Sequence, residues 1–314
     1  MLKYLVIQLD NVSVSFCHYF TGMAPRLIDL NNLEQGILFA MKENLHIQFV
    51  YPDFPLPKEY KAAIESVDHT KIMSIKAHDV AQADIVVFNG IAEVRTAIWN
   101  KEQILVIRIE KSQLPEFLSL FEQIKTRVIR LTVIIIDVDR FSQADFDSYT
   151  ILLDKLCDVF EKEYIAGNNV QLNLLSDRLI LTGMNNCKAG DEVLALAPNG
   201  KFYVCPAFYC ENADESCGDL VSGINIKNPQ LYKLDHAPIC RHCDAYQCRR
   251  CVWLNRKTTL EVNTPSREQC IVAHLERNGS RRILENLRKI GEFMPGVDIP
   301  RLDYLDPFEK HNEW

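Results

Sequence analysis

The chain has 314 residues, 47% of them apolar and 25% charged, a composition typical of globular proteins and long enough for about two domains. Its formal net charge of −7 disfavours nucleic acid as a partner, because phosphate binding requires clustered Lys and Arg. The N-terminal apolar run is too short for a signal peptide, and no apolar segment approaches the ~20 residues that span a bilayer, so we expect a cytoplasmic protein with no membrane partner.

Strands and helices alternate along the first half of the chain, as its apolar patterns predict. The predicted strands cover residues 3–9, 46–51, 72–75, 83–88, 104–109, 130–137 and 170–174. The predicted helices cover residues 33–42, 59–67, 91–99, 114–125 and 145–164. Such alternation favours a mainly parallel sheet or an open barrel, and we count six βα repeats.

The second half has a different character. Two short strands, 192–196 and 201–204, flank a Pro-Asn-Gly turn, and loops rich in cysteine follow. A helix is predicted over 267–277 and a second helix from Ser280 onward, with a tail from residue 298. The shift in composition predicts three domains, covering residues 1–180, 181–275 and 276–314.

Cysteines are concentrated in the second half. Only Cys17 and Cys157 precede residue 187. The others are Cys187, Cys205, Cys210, Cys217, Cys240, Cys243, Cys248, Cys251 and Cys270. Because disulfides are rare in the cytosol, so dense a set indicates metal or redox chemistry.

Two C-x2-C pairs, Cys240/Cys243 and Cys248/Cys251, lie only four residues apart. Soft thiolates suit zinc or iron–sulfur clusters. The usual zinc ribbon separates its pairs by a longer arm, whereas ferredoxin-type runs use such tight spacing. The pattern therefore favours iron–sulfur clusters, and zinc remains the alternative.

The full pattern, C-x12-G-x4-C, then C-x2-C-x4-C-x2-C, then C, resembles the SPASM domain that follows radical-SAM barrels in peptide-modifying enzymes. That resemblance implies two auxiliary [4Fe–4S] clusters. The first would be held by Cys187, Cys205 and Cys251. The second would be held by Cys240, Cys243, Cys248 and Cys270. For the first cluster, Cys210 and Cys217 are candidate fourth ligands, and an open iron is the other possibility. The usual motif has spacers of five and three residues between its last three clustered cysteines, whereas this chain has four residues between Cys243 and Cys248 and two between Cys248 and Cys251.

A radical-SAM enzyme needs three cysteines in the loop after its first strand, so that one iron stays free to chelate SAM. Here that loop holds only Cys17, and the Gly-Gly-Glu motif is missing where residues 51–57 read Tyr-Pro-Asp-Phe-Pro-Leu-Pro. The chain is thus similar to the CXXX repeat peptide maturases. The fold class predicted is α/β, a degenerate partial (β/α)6 radical-SAM-like barrel followed by a cysteine-rich SPASM-like iron–sulfur domain. We do not expect this chain to cleave SAM itself.

Three functional hypotheses follow. In the first, the protein takes part in maturing a ribosomally synthesised, cysteine-containing peptide (RiPP biosynthesis), by binding the precursor at the auxiliary clusters or relaying electrons. In the second, it is a non-catalytic partner of an active radical-SAM enzyme. In the third, its cysteines bind zinc in a structural interaction module.

Side chains beside the cysteines also receive predicted roles. Five aromatic residues are predicted to shield the clusters, namely Tyr203, Phe208, Tyr209, Tyr246 and Trp253. Arg249 and Arg250 either offset cluster charge, receive an acidic peptide or lie in a solvated loop. We expect His242 to face solvent or bond to backbone, and Cys157 to lie in the core.

Overall fold

The computed structural model describes residues 1–184 and 187–309, which contain eleven β-strands and nine α-helices. The strands are β1 (Tyr4–Gln8), β2 (His46–Val50), β3 (His69–Ser74), β4 (Ile85–Asn89), β5 (Ile104–Ile109), β6 (Arg130–Ile135), β7 (Gln171–Leu172), β8 (Val193–Leu196), β9 (Phe202–Tyr203), β10 (Gly218–Asp219) and β11 (Gly223–Ile224). The helices are α1 (Leu30–Lys42), α2 (Lys58–Glu65), α3 (Ile91–Thr96), α4 (Leu114–Ile124), α5 (Gln143–Ile165), α6 (Asp177–Ile180), α7 (Pro206–Glu211), α8 (Val252–Thr259) and α9 (Arg267–Arg288). The predicted alternation of strand and helix is present from β1 to β7, except that β3 is followed by a 3-10 turn, Val80–Gln82.

The described residues form two compact units, each built from separate stretches of the chain. The first unit comprises Met1–Phe88, Ala97–Val106 and Cys187–His236. The second comprises residues 89–96, 107–184 and 237–309. The predicted domain boundaries at residues 180 and 275 are not tested by this division and stay a prediction.

The sheet of the first unit is mainly parallel, in the order β4-β3-β2-β1-β8-β9. Strand β1 pairs in parallel with both β2 and β8, and the short β9 returns antiparallel to β8. Four of the five residues of β1 are buried, which is expected for a parallel strand covered on both faces. Gly200 makes the β8–β9 turn with a φ of 77°, and a Cβ there would lie 2.6 Å from the Asn32 side chain.

Helix α1 begins at an N-cap, where the Asp29 carboxylate accepts a hydrogen bond from the Asn31 amide at 3.0 Å. Its buried face places Gly36 against β8, where an added Cβ would lie 2.3 Å from Leu196 Cδ2. The missing side chain at Gly36 therefore allows the helix to approach the sheet closely.

In the second unit the strand order is β7-β6-β5, where β5 contributes only residues 107–109, and the long helices α5 and α9 pack on each other. Helix α5 begins with a capping box formed by Ser142 and Asp145. Helix α9 begins at Ser266, whose hydroxyl accepts from the Gln269 amide at 3.3 Å. These caps fix where the two helices start.

The prediction of two C-terminal helices was wrong, because α9 runs unbroken for 22 residues. Gly279 lies between the two predicted helices and permits close packing: a Cβ there would lie 2.8 Å from Leu175 Cδ2 and 3.4 Å from Cys157 Sγ. The predicted tail is also partly packed, since Asp306 accepts a hydrogen bond from Arg267 Nε at 2.6 Å. In the helix and in the tail alike, contacts between residues far apart in sequence decide the structure, and the local sequence pattern does not show them.

Within the two described stretches of the chain, none of the helices has the length and apolar character needed to cross a membrane.

Candidate metal centre

Four cysteines line one cavity of about 90 Å³ in the second unit. They are Cys240, Cys243, Cys248 and Cys270, and we call this cavity the thiol cavity. Three of them come from the loop that precedes α8, and Cys270 lies in the first turn of α9. The cavity is several times larger than the space that one water molecule needs.

Tight local turns bring the loop cysteines together. Cys240 opens a short 3-10 turn, Cys240–His242, and the Cys243 amide donates to the Cys240 carbonyl at 3.1 Å. A second turn follows, in which the Cys248 amide donates to the Ala245 carbonyl at 3.0 Å. The x2 spacing between Cys240 and Cys243 thus corresponds to one turn of backbone that places both sulfurs at one cavity.

Burial raises the pKa of all four thiols, to about 11 for Cys240 and about 12 for Cys248. The pKa of Cys270 is raised first by burial and then by the charges of Cys248, Cys240 and Cys243. This mutual repulsion exists because the sulfurs lie near one another. Thiolates in such a place require a compensating positive charge, which a bound metal would provide.

Two backbone amides point at cavity sulfurs. The Ala245 N–H donates to Cys243 Sγ at 3.4 Å, and the Arg250 N–H donates to Cys248 Sγ at 3.5 Å. Arg250 adopts a left-handed φ of 42° where this second bond forms. Amide hydrogen bonds to cysteine sulfur stabilise thiolates and help set the potential of iron–sulfur clusters.

Three buried arginines lie close enough to the thiol cavity for their charges to act on its thiols. Arg250 is 3% exposed, and its charge opposes the effect of burial on the pKa of Cys240. Arg277 is fully buried and donates to both carboxylate oxygens of Asp244, from Nε at 2.7 Å and from Nη2 at 2.6 Å. Arg178 Nη2 donates to the same carboxylate at 3.3 Å and its guanidinium stacks on Tyr246 at 4.3 Å. This network holds Asp244, the residue that follows Cys243, against α6 and α9.

The donor chemistry fits an iron–sulfur cluster: thiolates that converge on one cavity, amide donors to sulfur, and buried cations. Among residues 1–184 and 187–309, no three His, Cys, Asp or Glu side chains are grouped tightly enough to hold a single metal ion. The ligand assignment therefore stays a prediction.

The ligands predicted for the first cluster are divided between the units. Cys187, Cys205, Cys210 and Cys217 belong to the first unit, whereas Cys251 belongs to the second. Cys187 is exposed, and burial raises the pKa of Cys210 and of Cys217 to about 11. Cys205 and Cys251 occupy the N-cap positions of α7 and α8. This ligand set also stays a prediction.

The loop after β1, which holds Cys17, is fixed by polar contacts within the first unit. Tyr209 Oη donates to Asn11 Oδ1 at 2.6 Å, and Asn11 Nδ2 donates to the Ala24 carbonyl at 2.9 Å. The Ser13 hydroxyl donates to the Val50 carbonyl at 2.9 Å. Cys17 itself is half-buried.

Several other predicted residues can now be placed. His242 is exposed, as predicted, and it also lines the thiol cavity, so its other predicted possibility, tuning or ligating a metal, stays open. Cys157 is fully buried, as predicted. Arg250 is buried, so the solvated-loop alternative was wrong for that residue. Of the five aromatic residues, four are buried and Tyr246 is half-buried. Their shielding of clusters stays a prediction.

Sequence reasoning missed two residues near the thiols. His274 lines the thiol cavity, and the spacing Cys270-x3-His274 within a predicted helix was an available signal. Glu276 accepts a hydrogen bond from Tyr149 Oη at 2.8 Å, and burial raises the pKa of this carboxyl to about 7. No local pattern marks Glu276, because Tyr149 lies 127 residues earlier in the chain.

Comparison with known proteins identifies the fold. No protein-family model and no curated protein matches the sequence. Among solved structures, a polyhistidine-tagged form of anSMEcpe with bound AdoMet matches at a TM-score of 0.63 and 13% identity, over 94% of this chain and 98% of that chain. Native anSMEcpe with bound AdoMet and Cp18Cys peptide matches at 0.61 and 13%, over 92% and 100%. The form with Kp18Cys peptide matches at 0.60 and 13%, over 92% and 100%.

The predicted fold class, α/β with mainly parallel strands that alternate with helices, is therefore confirmed. The particular fold is that of anSMEcpe, and at 13% identity the likeness concerns the fold alone.

Proposed function

We propose that this chain is an iron–sulfur protein that takes part in maturing a ribosomally synthesised, cysteine-containing peptide. The observation that carries the proposal is the thiol cavity, where the buried Cys240 and three half-buried cysteines meet beside buried arginines. Such a site is unfavourable for thiolates without a cationic group and suits soft-metal chemistry. The fold shared with anSMEcpe supports the same interpretation.

In this proposal Cys240, Cys243, Cys248 and Cys270 hold one [4Fe–4S] cluster. A second cluster is held by Cys187, Cys205 and Cys251, with its fourth place taken by Cys210, by Cys217 or by an open iron. When bound, the clusters supply electron transfer and, at an open iron, a binding place for a substrate thiolate. The residues of this chain bind the clusters, exclude water from them and balance their charge.

A peptide is the partner that this account requires. One solved structure with this fold contains anSMEcpe with AdoMet and the Cp18Cys peptide, which supports a peptide partner for the present chain as well. The loop after β1 contains one cysteine, Cys17, where a radical-SAM enzyme needs three. This supports a degenerate barrel that does not itself cleave SAM. The same observation favours the second candidate function, a non-catalytic partner of an active radical-SAM enzyme.

The test is a titration of anaerobically purified protein with a synthetic peptide that carries Cys-x-x-x repeats. We expect the peptide to change the visible absorption and EPR spectra of the clusters, because its thiolate binds an iron. The matched control is the same peptide with serine in place of cysteine, which should leave the spectra unchanged.

If neither peptide binds, peptide maturation by this chain alone is refuted. Co-purification with an active radical-SAM enzyme would then support the partner role. A protein that contains two zinc ions and no iron would support the structural zinc module.

A further inference from the structure

His274 is placed as a metal ligand would be. It lies four residues after Cys270 on α9, so both side chains extend from the same face of the helix. The residue is 3% exposed and lines the thiol cavity. Its Nε2 atom lies 3.6 Å from Cys243 Sγ.

The hydrogen bond on the other side of the ring determines which nitrogen carries the proton. His274 Nδ1 contacts the carbonyl oxygen of Leu305, and a carbonyl can only accept, so Nδ1 must donate. In the neutral ring Nε2 then carries the lone pair, and that lone pair faces Cys243. Metal-ligating histidines are oriented in this way, with one ring nitrogen donating to a backbone carbonyl and the other facing the metal.

The ring is also held in place by its neighbours. Tyr304 contacts it edge-on, with ring centroids 5.7 Å apart. Because Nε2 lies 3.6 Å from Cys243 Sγ, the two atoms face the same part of the thiol cavity.

We propose that His274 is a reserve ligand of the metal centre of the thiol cavity, which binds in the place of Cys243 where that sulfur is absent. The inference rests on the proposed function, since it requires a cluster at this cavity. A [4Fe–4S] cluster takes four protein ligands, so Cys240, Cys248 and Cys270 fill three places, and Cys243 and His274 compete for the fourth. The ligand change needs no redox step, because the nitrogen lone pair forms the bond to iron that the missing thiolate would have formed.

The test uses full-length protein reconstituted anaerobically with iron and sulfide. We expect Cys243→Ala to retain the iron of this cluster, with a higher reduction potential, because a neutral imidazole replaces a thiolate. The double variant Cys243→Ala/His274→Ala should lose that iron, whereas His274→Ala alone should keep it. Cys248→Ala is the matched control and should lose the iron by itself, because among the described residues that sulfur is hydrogen-bonded by the Arg250 amide and by no histidine.

A spectroscopic measurement keeps the test decisive if the double variant does not fold. Pulsed EPR of Cys243→Ala should show a strong coupling to imidazole nitrogen that ¹⁵N-histidine labelling shifts, and His242→Ala in the same background should leave it unchanged. Loss of iron from Cys243→Ala to the extent seen for Cys248→Ala, or a spectrum without that coupling, would overturn the inference. Wild-type protein that binds no iron would instead refute the proposed function.

Discussion

At the residue scale, the buried arginines near the thiol cavity would offset the negative charge of a thiolate-bound cluster. Arg277 and Arg178 share the carboxylate of Asp244, and the two guanidinium groups lower its pKa against the opposing effect of burial. Two cations for one carboxylate leave net positive charge beside Cys243. A buried positive charge stabilises an anionic cluster and raises its reduction potential.

Glu276 is a buried acid near the thiols, and its effect on stability has a definite sign. Burial raises its pKa from 4.5 to about 7. Between these values the unfolded chain loses a proton that the folded protein keeps, so the free energy of unfolding falls as the pH rises. The loss should reach about 3 kcal/mol above pH 7.

The variant Glu276→Gln should abolish this pH dependence, because the amide is neutral and its oxygen still accepts from Tyr149. The measurement is urea unfolding of both proteins at pH 5 and pH 8. Glu285→Gln is the matched control, since Glu285 lies on the same helix but is exposed, and it should behave as wild type. Equal pH dependence in wild type and Glu276→Gln would contradict the assignment.

Cys240 and Cys243 could be predicted as neighbours from the sequence, because the C-x2-C spacing is local and one backbone turn produces it. The approach of Cys270 has no such local origin, since it lies on α9. Asp244 and Arg277 could not be predicted as partners, since 33 residues separate them. Glu276 and Tyr149 lie still further apart in the sequence. A charged residue has no local signal for burial when its partner is supplied by the tertiary fold.

At the element scale, α9 is central to the second unit. It contributes Cys270 and His274 to the thiol cavity, Arg277 to the Asp244 network, and Gly279 to its contact with α5. The apolar pattern predicted helix on both sides of Gly279 but not continuity across it. A glycine inside a helix lowers local propensity, and only the packing against Leu175 and Cys157 shows why it is present.

We expect Gly279→Val to destabilise the protein by about 2 kcal/mol, because the new side chain would overpack against Leu175 and Cys157. The measurement is the midpoint of urea unfolding. Gly291→Val is the matched control, since nothing lies within 4 Å of a Cβ at that position, and its effect should stay within about 0.5 kcal/mol. Equal effects of the two substitutions would argue against close packing at Gly279.

At the scale of the whole molecule, each unit combines segments that are distant in the chain. Strand β8 pairs with β1 across almost 190 residues, with Tyr4 opposite Val193. The alternation of strand and helix predicted a parallel sheet, but it contains no information on which strand lies on the far side of β1. Which distant strand becomes the neighbour of β1 is decided by the packing of the complete fold.

The central claim, that the cysteines bind iron–sulfur clusters, is tested most directly by metal and sulfide analysis of the full chain purified without air. We predict about eight irons and eight sulfides per wild-type chain, and a loss of about four of each in Cys248→Ser. Cys157→Ser, which alters a buried thiol beside Gly279 outside the cavity, should retain the wild-type content. Zinc without iron in the wild-type protein, or an iron content that is the same in Cys248→Ser as in wild type, would contradict the account.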